Sequence, residues 1–113
     1  MQHTAELFQG IKDTRLFSLE EQLRSCREDP HASVSEQVEL CFKMLYAYAD
    51  IEFMLDDAVT QSCCYAAEIL VTLDEPGLSD RIKNLIHTQG VRLHTRALEL
   101  IAQKTPDADT SPV

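Results

Sequence analysis

The sequence predicts an all-α protein, an antiparallel bundle of three to four helices, and three observations carry that expectation. Gly (3) and Pro (4) are scarce among the 113 residues. No strand-length window alternates β-branched or aromatic residues with polar ones, the pattern a half-buried strand needs. Residues 34–74 contain neither Gly nor Pro and repeat apolar positions in steps of three and four. With 44% apolar residues and this length, the chain can bury one modest core. A single helical domain over 1–104 is expected, followed by a disordered polar tail over 105–113.

The first helical segment runs from about Thr4 to Glu28. Leu7, Phe8, Ile11, Leu16, Leu19 and Leu23 recur at mostly helical spacing, but the register slips between Ile11 and Leu16. Ser18 with Glu21 reads as a capping box, so a kink near Phe17 and a second helix from Ser18 are expected. Asp29-Pro30 ends the segment, because the residue before proline is pushed out of the α region. Ser33 with Glu36 is a second capping box and opens the main helix.

That main helix carries a seam of Val38, Cys41, Leu45, Tyr48, Glu52, Leu55, Val59, Ser62, Ala66, Ile69 and Leu73. As one rod it would be ~60 Å long at 1.5 Å per residue, too long for a compact domain of this size. A break near 56–57, with Asp57 as a new cap, would give four helices. The apolar phase passes through Leu55, Ala58 and Val59 undisturbed, and this favours continuity. Glu75-Pro76-Gly77 is a turn. The last helix is expected from Leu78 or Ser79 to about Lys104, with Gly90 placed for a close helix crossing.

Composition limits the function classes. Ten Lys+Arg against 19 Asp+Glu give a net charge of −9, which disfavours nucleic acid as a partner. No apolar run is long enough for a membrane span, and the N-terminus lacks a signal peptide's basic start and apolar run. A cytoplasmic protein with no membrane partner is expected. Its four cysteines, Cys26, Cys41, Cys63 and Cys64, then read as small hydrophobes without disulfides. Charge is segregated: residues 34–75 carry nine acids and one base, whereas 79–104 carry five bases and two acids. The basic last helix is therefore expected to lie antiparallel along the acidic central one.

Motifs for chemistry are absent. No Glu-x-x-His occurs, and Glu36 and Glu39 are better explained as first-turn acids than as metal ligands. A phosphotransfer bundle would require His-x-x-Lys-Gly, and His87-Thr88-Gln89-Gly90 fails that pattern. No catalytic residue, cofactor or metal is expected, and the chain is read as a non-enzymatic interaction module, a small adaptor, chaperone or regulator.

The aromatic positions Phe42, Tyr46, Tyr48, Phe53 and Tyr65 wrap a wide arc of the main helix, which must be covered on several sides. A protein partner or a second copy in a homodimer would cover the remainder. The expected interface is Met44, Tyr48, Glu52, Phe53 and Tyr65, joined by His87, Val91, His94 and Leu98 of the last helix. Glu52 reads as a kink or edge position that reaches solvent or pairs with Arg92 or Arg96, with fixing of register between subunits as the alternative. The histidines, seven residues apart on one face, read as polar positions at an interface margin, with a pH-dependent contact as the alternative. Two alternatives remain: a helical signalling or ligand-sensing domain using His87 or His94, and an acidic mimic of nucleic acid.

Overall fold

The computed structural model describes residues 2–51 and 57–105, with side chains in the first helix from Arg15 onward. The elements are α1 (Gln2–Glu28), α2 (Val34–Asp50), α3 (Asp57–Leu70), α4 (Leu78–Gln89), a 3₁₀ turn (Gly90–Arg92) and α5 (Thr95–Ala102). Among the described residues there is no strand, and the expected all-α bundle is what forms. No helix among them is long and apolar enough to cross a membrane.

α1 is one helix, and the expected break at Ser18 does not occur. Ser18 sits in the helix interior, where its hydroxyl accepts a 3.4 Å hydrogen bond from the Gln22 side chain. Leu16 and Leu23, seven residues apart, are both fully buried and hold this half of α1 in a single helical phase. The helix stops at Asp29-Pro30 as expected, with the Asp29 carboxylate accepting from the His31 N–H at 2.9 Å.

Ser33 is the N-cap of α2, with extended backbone and its hydroxyl accepting from the Glu36 N–H at 3.1 Å. Replacing Ser33 by alanine is expected to cost about 1 kcal/mol, read as a lowered melting midpoint.

The residues 34–74 do not form one rod. α2 ends at Asp50, where Ile51 turns extended (φ −77°, ψ 119°) and its N–H closes on the Tyr48 carbonyl at 3.0 Å. The helix resumes at Asp57, an acidic residue in the first turn of α3. Preference for continuity is therefore corrected, and the physical reason is burial. Folding back brings Val38, Cys41, Met44, Leu45 and Tyr48 into one cluster with Val59, Cys63, Ala66, Ala67 and Leu70. A straight rod would leave those two sets far apart. An unbroken apolar phase was compatible with either arrangement, because two helices that share one core both present a seam.

Contacts along the helices set their directions. Arg15 pairs with Asp50 at 3.5 Å and Arg27 donates to Gln37 at 3.0 Å, so α1 and α2 are antiparallel. Glu20 bonds Ser62, and Arg24 stacks 4.2 Å from the centroid of the Tyr65 ring, so α3 follows the direction of α1. α5 follows α3, with His94 beside Cys64 and Lys104 paired to Asp74 at 3.3 Å.

Gly77 (φ 81°) makes the left-handed turn into α4 that an L side chain would strain. The expected single last helix is also corrected. It ends at Gln89, passes through the 3₁₀ turn and the extended residues Leu93 and His94, and restarts at Thr95. Gly90 does not mark a close crossing, since a Cβ there would meet Ile86 Cγ2 and Leu98 Cδ1 at 3.5 and 3.9 Å, ordinary contacts. The predicted tail begins with Thr105, which is fully buried; residues 106–113 lie outside the described residues.

Candidate interaction surface

The wide apolar arc of α2 is satisfied inside the chain. Met44 is 0% exposed and Tyr48 3%, so both belong to the core of the single chain and present nothing outward. Phe42 is also buried, with the Arg81 guanidinium 4.2 Å from its ring centroid. Arg81 pairs with Glu39 and holds that carboxyl below the usual carboxylate range, so α4 is pinned to α2 by one arginine. The pair is exposed and contributes little. Its contribution is complete above the ordinary glutamate range and disappears as pH falls through the lowered value.

Tyr65 is half-buried, with the Arg24 guanidinium stacked on its ring. Beside it Ser62, 2% exposed, donates to the Glu20 carboxylate, which also takes the Arg24 guanidinium at 2.8 Å. Glu52 and Phe53 lie outside the described residues, and so does the register role assigned to Glu52.

The remaining expected residues lie around the break between α4 and α5. His87 is in the last turn of α4 and exposed. Val91, at the centre of the 3₁₀ turn, is 99% exposed. Among the described residues, the other exposed large hydrophobic side chains, Phe17 and Val34, reach 36% and 41%. Leu98 is half-buried and packs against the core. The 3₁₀ turn closes with the Leu93 N–H on the Gly90 carbonyl at 3.2 Å, and Leu93 is buried, so the loop tip is anchored directly behind Val91. We call this feature the knuckle.

His94 does not share a helix face with His87, because the helix breaks between them. It is instead the N-cap of α5: its Nδ1 accepts the Arg96 backbone N–H at 3.1 Å. That donor fixes Nδ1 as the lone-pair nitrogen, and the Cys64 thiol faces the same atom at 3.7 Å. Burial pushes the Cys64 thiol up, with Glu68 adding to the effect and Arg96 opposing it. This cysteine–histidine contact fastens the first turn of α5 to α3. A capping histidine has no sequence signature apart from the extended residue before it, and so it escaped the sequence reading.

Electrostatics differ sharply across the surface. Arg81 and Lys104 have acidic partners on other elements, but the expected antiparallel alignment is corrected, since α5 runs parallel to α3 where the last helix breaks at the 3₁₀ turn. Lys83, Arg92 and Arg96 have no ion pair among the described residues, and with His87 they flank Val91 along the chain. Between α1 and α2 lies an open groove of about 450 Å³ lined by Glu21, Cys26, Asp29, Glu36 and Leu40, among others. A second groove of about 380 Å³ lies between α1 and α3, lined by Phe17, Glu20, Arg24 and Ala58 among others. Among the described residues no group of three or more His, Cys, Asp or Glu side chains is arranged to hold a metal ion. No family model matches the chain, and comparison with curated proteins and with solved structures finds no match.

Proposed function

We infer that the chain is a non-enzymatic interaction module of the cytoplasm, an adaptor, chaperone or regulator that docks another protein through the knuckle. One observation supports this above the others: Val91 holds an aliphatic side chain 99% in solvent on a turn whose next residue but one is buried. Leaving such a group in water forgoes the gain from burial, and a rigid turn lowers the ordering cost of docking it. The flanking Arg92 gives the rim a cationic group and His87 a polar one, the usual surround of an apolar anchor. Four free cysteines fit a reducing compartment. Self-association into a homodimer belongs to the same reading, with the second copy as one form of partner.

The test compares wild-type chain and Val91→Asp as immobilised baits in native lysate. The substitution is expected to reduce specifically retained protein at least tenfold while leaving the melting midpoint unchanged, because position 91 touches no core. Equal retention by both baits would remove the knuckle from the account.

A further inference from the structure

We propose that the knuckle of one copy docks into the acid-walled groove between α1 and α2 of a second copy, a head-to-tail contact. This rests on the reading of the knuckle as a docking surface and names its occupant. Complementarity carries the argument. The groove presents Glu21, Asp29 and Glu36 around the half-buried Leu40, and none of the three acids has an ion-pair partner among the described residues. The knuckle presents the opposite set: the exposed aliphatic Val91 with the exposed Arg92 next to it, a base equally without an ion pair among those residues. An exposed valine beside a base meets a half-buried leucine among three acids.

Geometry prevents a copy from satisfying itself. The groove lies on the side of α2 that faces α1, where Glu36 approaches Cys26 and Arg27 reaches Gln37. α4, which leads to the knuckle, is pinned to another side of α2 through Glu39 and Phe42. Two copies at −9 each repel at long range, and opposite signs meet where the knuckle faces the groove. In this head-to-tail arrangement, unlike a reciprocal two-fold pair, each assembly keeps a free knuckle at one end and a free groove at the other, so association is open-ended.

Sedimentation equilibrium of purified chain tests this without any lysate. Wild type is expected to grow past dimer mass with concentration. Glu21→Arg, which spoils the groove, and Val91→Ser with Arg92→Ser, which spoils the knuckle, are each expected to weaken association at least tenfold. All three positions are exposed, so melting midpoints should match wild type. Mixed in equal amounts, the two variants retain one intact knuckle and one intact groove, and the mixture should stop at a 1:1 dimer. A wild type that stays monomeric or stops at a closed dimer, an assembly insensitive to both changes, or a mixture that stays monomeric would overturn the proposal. A monomeric wild type whose lysate capture still depends on Val91 would overturn self-docking alone and leave the docking surface standing.

Discussion

Replacing Met44 by alanine is expected to destabilise the fold by about 3 kcal/mol, a fall of roughly 10–15 °C in melting midpoint. The side chain is 0% exposed in the cluster shared by α1, α2 and α3. Truncation removes its transfer free energy and leaves a cavity that the surrounding helices close only in part. The contrasting variant is Val91→Ala, expected within about 0.5 kcal/mol of wild type because the side chain is 99% exposed. Both residues were expected at one interface on sequence grounds, so this pair of melts separates them. Comparable stabilities for the two variants would contradict the placement of Met44 in the core.

The cysteines should divide into two classes with thiol reagents. Burial pushes Cys41 and Cys63 up to about 12 from an ordinary 9.0, although a backbone hydrogen bond from His94 opposes the rise at Cys63. Near pH 8 that leaves roughly a thousandfold less thiolate at each, apart from the loss of access. Cys26 and Cys64 are half-buried and raised less. Iodoacetamide on the native chain, followed by mass spectrometry, should label Cys26 and Cys64 alone, with all four labelled after denaturation. The same burial predicts alkaline weakening. Between about 9 and about 12 the unfolded chain loses protons from Cys41 and Cys63 that the folded chain keeps, so stability falls as pH rises through that range. Native-state labelling of Cys41 would contradict the packing of α2.

Much of the fold was legible because it is written in local chemistry. The Ser33 cap, the Asp29-Pro30 stop and the Pro76-Gly77 turn each depend on neighbouring backbone geometry, and each is where the residues place it. Long-range choices were less legible. Ser18 with Glu21 has the spacing of a cap, yet Leu16 and Leu23 packing on one face keeps α1 continuous, and tertiary burial overrides the local signal. The break after Asp50 was hidden because α2 and α3 share a core and so continue each other's apolar phase.

The candidate surface was legible in part. His87, Val91, His94 and Leu98 were singled out as one helical stripe, but the helix breaks between His87 and His94, so His87 and Val91 stand exposed while His94 caps α5 and Leu98 packs on the core. What the residues alone concealed was the break itself: Gly90 has a helical backbone and nothing crowds it, so no residue type announces the 3₁₀ turn. Met44 and Tyr48 were misplaced because apolarity alone does not say whether the covering surface comes from the same chain. Here α1 and α3 supply it.

The most direct test of the docking surface is photo-crosslinking from inside it. A photoreactive amino acid is placed at position 91 and, in a second preparation, at position 34, whose valine is 41% exposed at the start of α2 and serves as a matched apolar control. Irradiation in native lysate should give a discrete crosslinked protein from position 91 and none from position 34. A product from position 34 with nothing from position 91 would contradict the account, and would move the docking surface to the N-terminal end of α2.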